Sequence, residues 1–565
     1  MALLLATVAA SAVPAAGDPT YVPLPKGTIT FNRHIAGLIH RRCAPCHHPG
    51  SPAPFDLLTF QDVHKRLKLV LEVTGKRQMP PWLPEPGFGE FAGERRLTAG
   101  ELGLLQQWAA EGAAEGPPGT APKPPEWPDG WLLGKPDLVL KMEQPYLLGA
   151  DGSDVYRNFV IPVSLEKDRF VRALEILPGN PRAVHHAFVL LDESASCRRM
   201  EGREGTPGFP GMNIRAKMPA GHFLTWQPGK VMLMPPDSLS WRLPKTSDLV
   251  VQLHLNRTGK PEPVQTMLGL HFTEAAPLDT NLKFKLTSLS LDFPAGASNV
   301  VVTDSLTMPV DADFLAVNPH AHYLARDLQG WAILPDGTKK WMLWIKQWDF
   351  NWQGEYRYAQ PVSLPKGTTL HLQYTYDNST NNVRNPNRPP KRLVYGDQSS
   401  DEMCELWFQI VLRQSADRPV FEEAQGEHLR QLYLHSLEQR VRVGPNEAEA
   451  MTQLGTIYLL KGDKREGWRL IEEAIRVAPD LAEAHLNKGA MLRLTGRFAQ
   501  ARPELELAVR LDPNNAKAHS QLGLVLYSLG KRAEAELSFQ KALDLDPKER
   551  DALAAVEEIR QRKRQ

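Results

Sequence analysis

The sequence predicts a multidomain chain: a small all-α domain, two all-β domains of the β-sandwich type, and a C-terminal α-solenoid. Three observations predict it. A proline-rich run, residues 117–128, separates a helix-like N-terminal part from the rest of the chain, and such a run is stiff and extended. Hydrophobic alternation of period two recurs between residues 130 and 412, as in Val250–Leu255 and Leu370–Tyr376, which is the strand signature. Pro445, Pro479, Pro513 and Pro547 are spaced 34 residues apart, and a fixed period of that length marks a repeat array.

Composition sets the outer bounds. The 565 residues are enough for several domains at about 100–200 residues each. Lys+Arg 66 against Asp+Glu 65 leaves a net charge of +1, which argues against a nucleic-acid coat or a polybasic membrane binder. Hydrophobic residues make up 42 % of the chain, so several cores can be filled. The 48 prolines and 41 glycines imply many turns. The 4 cysteines are too few for a disulfide scaffold.

Residues 1–16 read as an export signal. The run Ala2–Ala16 is apolar and small, and Ala10-Ser11-Ala12 has a cleavage pattern. It is shorter than the ~20 residues a spanning helix needs. No basic residues precede it, so an Ala-rich tail is the competing reading. Export would place the protein in a periplasm or outside the cell, with no transmembrane segment.

Residues 27–117 carry Cys43-Ala44-Pro45-Cys46-His47, the C-x-x-C-H pattern of covalent haem attachment. Two thiols one helical turn apart can add to two vinyl groups, and the next residue puts an imidazole under the iron. A redox pair with an incidental histidine is the plainer alternative. Met79, in Gln78-Met79-Pro80-Pro81-Trp82, is the candidate for the opposite axial position, with His48 and His64 as rivals. The Cys-Ala-Pro-Cys-His and Met-Pro-Pro-Trp pairing resembles a class of cytochrome c domains. A Pro-rich linker comes next, residues 118–134.

The β region is rich in metal-ligand residue types. His185 and His186 are adjacent, so both can reach one metal only at a bulge or strand end. His254 supplies a third imidazole. His320 and His322, two apart, lie on one face of one strand, and Met403 supplies a thioether. A His₃ set and a His₂Met set suit copper, because imidazole with thioether favours Cu(I). Turns at Pro178-Gly179-Asn180, Pro335-Asp336-Gly337 and Pro365-Lys366-Gly367 punctuate the strands.

In order and context, His185-His186, His254, His320-x-His322 and Ser400-Asp401-Glu402-Met403-Cys404 resemble the copper type II, ascorbate-dependent monooxygenases. That family includes peptidylglycine alpha-hydroxylating and dopamine beta-monooxygenases. The resemblance implies two copper β-sandwiches, 135–277 and 278–412. It implies that His185, His186 and His254 hold an electron-transfer copper, and that His320, His322 and Met403 hold the copper that activates O₂ for C–H hydroxylation. Members that clamp a substrate carboxylate use Arg, Asn and Tyr where this chain has Asn318, Glu405 and Trp407. A carboxylate beside Glu405 is expected to be repelled, which argues against a peptidylglycine substrate. Trp407 would wall an apolar pocket or sit in the core. Cys197 and Cys404 fall in different sandwiches, so no disulfide is expected.

Beyond a helical connector, 413–447, Gly455, Gly489 and Gly523, then Gly462, Gly496 and Gly530, then Ala474, Ala508 and Ala542 all keep the 34-residue period. The pattern resembles the tetratricopeptide repeat. Three repeats over 448–549 and a capping helix over 550–565 are expected, with a concave face for a protein partner or a plain spacer role. The combined expectation is a copper monooxygenase acting on a small-molecule or peptide-like substrate with O₂. Its electrons come from ascorbate or from its own c-type haem. The alternative is an exported copper and haem electron-transfer or sensing protein.

Overall fold

The computed structural model describes residues 21–564, apart from 52, 127–129, 213, 231, 397 and 445–446. The export-signal segment and Pro445 lie outside the described residues. The chain forms two compact units, Met1–Gln425 and Gly426–Gln565.

Short helices open the first unit: Ala36–Arg42, Phe60–Lys65, Leu67–Gly75 and Ala99–Ala110. Two of them start at capping boxes, Thr59 with Asp62 and Thr98 with Glu101, which satisfy free helix-end N–H groups. Ile35, Leu38, Ile39, Val63, Leu105 and Trp108 form their core. The Trp108 indole N–H donates to the Ala114 carbonyl at 3.0 Å, so the largest core side chain leaves no buried donor unpaired.

Antiparallel sheets come next. Strands from Leu138 to Thr273 build one four-stranded and one five-stranded sheet. One core joins them, with Val171, Leu174, Leu268 and Leu270 from the first and Phe159, Val189, Val251 and Leu253 from the second. Strands from Asn281 to Leu412 build two further four-stranded sheets around Phe284, Phe314, Leu328, Tyr374, Tyr376 and Phe408. The strand Thr369–Tyr376 alternates half-buried and buried residues, as period two requires. The strand Asp248–Leu255 is buried at every position. Its second face is covered as well, with Val250 packing on Cys197, Phe209 and Ala216. Cys197 and Cys404 are free and buried.

A 26-residue helix, Arg418–Val443, takes the place of the connector. Near its start, Phe421 packs edge-on against Phe284, with ring centroids 5.2 Å apart. In the second unit, Leu437 shares a core with Leu454 and Leu470. Three helix pairs make up the array: Ala448–Lys461 with Lys464–Val477, Ala482–Leu494 with Phe498–Leu511, and Ala516–Ser528 with Arg532–Leu545. Arg550–Arg564 comes last. Among the described residues no helix is long and apolar enough to cross a membrane.

The periodic glycines have two different tasks. Gly462, Gly496 and Gly530 take φ of 94°, 75° and 79° at the end of each first helix, a conformation that costs other residues about 1–2 kcal/mol. Gly455 permits close helix packing: a Cβ there would lie 2.8 Å from the Gly467 carbonyl oxygen. Backbone cannot step aside as a side chain can. Gly455→Ala is therefore expected to destabilise the array by about 1–3 kcal/mol, read as a lowered midpoint of the helical transition in urea.

Candidate metal centre and the cavity beside it

The first cluster is built by a register slip. The strands Val184–Asp192 and Asp248–Leu255 pair antiparallel, with an irregularity between Val184 and His186 that sets His186 opposite His254. The irregularity lets two adjacent histidines turn toward one point. His185 Nδ1 lies 3.1 Å from His186 Nδ1 and 3.2 Å from His254 Nδ1. Ligand atoms of all three rings lie within 4.8 Å of one another. The other nitrogen of His254 donates to Asp154 Oδ2 at 2.9 Å. The Tyr156 ring stacks on His254 at 4.3 Å. Burial pushes the His185 imidazolium pKa down to about 4 and that of His186 well below its ordinary value. Neutral rings with converging nitrogens are what a metal ion needs. His185, His186 and His254 can hold a metal.

The second histidine pair lies on and just after the strand Ala312–Ala321. The His320 and His322 rings are 5.2 Å apart, nearly perpendicular. His320 Nδ1 is hydrogen-bonded to Gln353 Oε1, and His322 Nδ1 to the Asp401 carbonyl at 3.2 Å, so each ring keeps Nε2 for another partner. The Glu402 carboxylate accepts the backbone N–H groups of His322, Leu324 and Met403. It thereby fastens the Met403 segment to His322. Burial raises the Glu402 pKa to about 8, against the pull of those amides. His322 is pushed down to about 3, again chiefly by burial.

One aromatic ring stands between the two histidine groups. Phe350 lies on His185, with centroids 4.9 Å apart at 30°, and meets His322 edge-on at 5.4 Å. Asp154 makes a second link. Its Oδ2 also accepts the Ser399 hydroxyl at 2.8 Å, two residues before Asp401. The His254 hydrogen bond is the main cause that holds the Asp154 carboxyl below its ordinary pKa.

A cavity of about 400 Å³ is bordered by Cys43, Cys46, His47, Met79, Arg95 and Trp352, and Trp352 shares a turn with Phe350. His47 Nδ1 donates to the Phe55 carbonyl at 2.9 Å, which leaves its Nε2 available. Both thiols are free, and burial pushes Cys43 up to about 12. Arg95 Nη1 lies 3.8 Å from Cys46 Sγ, while its buried Nε has no partner among the described residues. His48 borders a neighbouring cavity of about 430 Å³, and His64 packs on Phe60 at 5.0 Å. Of the three axial candidates, Met79 is the one that borders the cavity with His47.

The structure corrects one expectation. Glu405 is expected from sequence to repel a carboxylate, but it is buried and paired with Lys285, and it accepts the Trp407 indole N–H at 2.8 Å. Its charge already has a counterion, so the repulsion falls away. Asn318 sits opposite Trp407 and His320 opposite Glu405 in the sheet. Sequence reasoning missed Asp154, Gln353 and Phe350. Asp154 is 100 residues from His254, and no local spacing signals such a partner.

These buried imidazoles make metal-free stability depend on pH. His185, His186, His222, His320 and His322 all have depressed pKa values when folded. Between about pH 6.5 and about pH 4 the unfolded chain binds protons at these histidines that the folded chain refuses, so stability falls as pH falls; Glu402, raised to about 8, works the other way and offsets one of the five. The loss is at most about 1.4 kcal/mol per pH unit for each group. Urea midpoints of metal-free protein at about pH 7 and pH 5 are expected to drop steeply, and less so for His185→Gln/His186→Gln.

Comparison with known proteins bears on the second unit. The sequence profile of the tetratricopeptide repeat matches residues 452–516 and 495–550. No curated protein matches the chain. Among solved structures, the first repeat domain of Spaghetti (RPAP3), bound to the HSP90 peptide SRMEEVD, is 24 % identical. It covers 22 % of this chain and 98 % of its own, with a TM-score of 0.21. The first repeat domain of human RPAP3 is 25 % identical over 21 % and 93 %, TM-score 0.20. The Arabidopsis OM64 repeat domain is 27 % identical over 21 % and 99 %, TM-score 0.20. Residues 452–550 carry tetratricopeptide repeats.

Proposed function

We propose that the protein is a copper-dependent monooxygenase that hydroxylates a C–H bond of an organic substrate with O₂, its electrons supplied by ascorbate or by a covalently attached c-type haem. One observation carries the reading. Two groups of imidazoles meet a single phenylalanine ring, Phe350, and Trp352 in the same turn borders the cavity of Cys43, Cys46, His47 and Met79.

The donor sets fit the groups the reading requires. Converging Nδ1 atoms of His185, His186 and His254 suit one copper ion. His320, His322 and Met403 would hold a second, with the Met403 segment anchored through Glu402. Asp154, Gln353 and the Asp401 carbonyl hold the opposite nitrogens of His254, His320 and His322, fixing the tautomers and aiming the free ones. A haem would be attached at Cys43 and Cys46 in this cavity, with His47 and Met79 as the residues that would ligate it. The unpaired Arg95 Nε would meet an anionic edge. When bound, copper supplies one-electron redox chemistry and O₂ binding, and haem supplies a stored electron. The chain's own part is to present neutral nitrogens, exclude water around them and orient substrate.

The second reading is an electron-transfer or sensing protein without hydroxylase activity. The turn Phe350–Trp352 favours it: Trp352 borders the cavity and Phe350 lies on His185, a short route that needs no substrate. In either case the repeats are a docking surface for a protein partner. Export to a periplasm or to the outside would let haem be attached there. A small-molecule or peptide-like substrate belongs to the first reading alone.

Metal and haem analysis tests the common ground. Two copper ions per chain are expected, and acid–acetone should leave the haem colour with the protein. Extractable haem would sink the cytochrome assignment. Met403→Ile is expected to lose reductant-dependent O₂ uptake by about a hundredfold or more, as loss of a catalytic metal's tuning would, while His185, His186 and His254 keep one copper. Loss of both ions together would contradict two separate sites.

A further inference from the structure

Among the described residues, Lys283 is in no ion pair. It lies on the strand Asn281–Thr287, which pairs with Cys404–Leu412 so that Lys283 faces Gln409 and Lys285 faces Trp407. The next strand sets His320 opposite Glu405. Directly opposed residues share a face and alternate residues continue it. One sheet face therefore carries Lys283, Lys285, Trp407, Glu405 and His320 in a row. Lys285 is taken by Glu405. Lys283 instead points its Nζ at Met218 Sδ, 3.1 Å away, a weak acceptor. The ammonium lies over the Phe223 ring at 5.6 Å and the Trp407 ring at 5.5 Å.

The carboxylate that favours its charge is Glu355, and that group is paired with Lys230 at 3.1 Å with both side chains largely buried. Burial outweighs Glu355 and pushes the Lys283 pKa down to about 8. A half-buried ammonium between two aromatic rings gains some cation–π energy, but it still lacks the charge-assisted hydrogen bonds that its desolvation calls for. Met218 and Phe223 come from the loop between Phe209–Pro210 and Thr225–Trp226, in the part before residue 273, and Lys283 and Trp407 from the strands after residue 281. The ammonium thus sits where the two parts meet, on the face that leads to His320.

We propose that Lys283 anchors the carboxylate of the substrate, which makes the substrate class an organic acid with an apolar or aromatic body lying on Trp407. The spacing defines the class further. Gln409 and Glu405, the sheet partners of Lys283 and His320, are four residues apart on one strand, about 13 Å. An acid held at Lys283 presents to His320 a carbon remote from its carboxylate, not the one next to it. The substrate assignment rests on the oxygenase reading; the anion site itself does not.

The experiment uses the metal-free full chain, with 4-phenylbutyrate and its neutral amide as probes, monitored by calorimetry and tryptophan fluorescence. The acid is expected to bind at least about tenfold more tightly than the amide, the scale of a hydrogen bond to a charged group. Lys283→Met should weaken acid binding by about 10–100-fold, leave the amide unchanged, and melt at or above the wild-type temperature because an unpaired charge has gone. Lys283→Gln serves as the second neutral variant. Equal affinity for acid and amide, undetectable binding of either, retention of acid binding in both variants, or a lowered melting point in both would each overturn the proposal. Copper uptake is measured by titrating the same metal-free preparation with the ion. Protein that prefers the acid but binds no copper overturns the oxygenase reading and leaves the anion site standing. Protein that binds two copper ions but shows no preference does the reverse.

Discussion

A buried imidazole is tolerable only when both its nitrogens are provided for. Each ring has one N–H and one lone pair when neutral, and burial here keeps His185, His186, His320 and His322 neutral. Asp154, Gln353 and the Asp401 carbonyl satisfy one nitrogen each on His254, His320 and His322. The Nδ1 atoms of His185, His186 and His254 converge on one another. Much of the surrounding architecture serves that arrangement. The register slip at Val184 turns His185 inward, Tyr156 covers His254, and the fully buried Asp248–Leu255 strand carries His254 where water is scarce.

The same economy governs the carboxylates. Glu402 is buried and shared among three backbone amides, so it acts as a staple between the Met403 segment and His322. Glu405 is neutralised by Lys285. Asp154 serves His254 and Ser399 at once, and so ties the loop before Met403 to the first histidine cluster. Breaking one partner of such a buried pair strands the other, which costs more than the pair contributes. Lys283 is the exception among these charged groups: among the described residues its ammonium is paired with Met218 Sδ and with no carboxylate.

In the second unit the constraint is steric rather than electrostatic. Gly455 brings two helices within backbone contact of one another, and Gly489 and Gly523 give room to Leu505 and Phe539. Repeats with this geometry bury their cores between neighbouring helices, as Leu486, Leu505, Leu522 and Phe539 do here.

Period alone determined much of the architecture. Alternation of two, a 34-residue spacing and a proline-rich break are local properties of the chain. They translate into strands, helix pairs and a boundary because backbone geometry leaves few other choices. The ligand-type residues His185, His186, His254, His320, His322 and Met403, and the Cys43-x-x-Cys46-His47 motif, were legible for the same reason: their spacing is chemical. What only the tertiary structure decided is everything that depends on long-range pairing. Asp154 reaches His254 across 100 residues and Lys285 reaches Glu405 across 120. Phe350 enters between two histidine groups through a turn with no periodic signal. The charge of Glu405 could not be judged from the chain alone, because a carboxylate's effect on a ligand is set by its counterion, and strand register chooses that counterion.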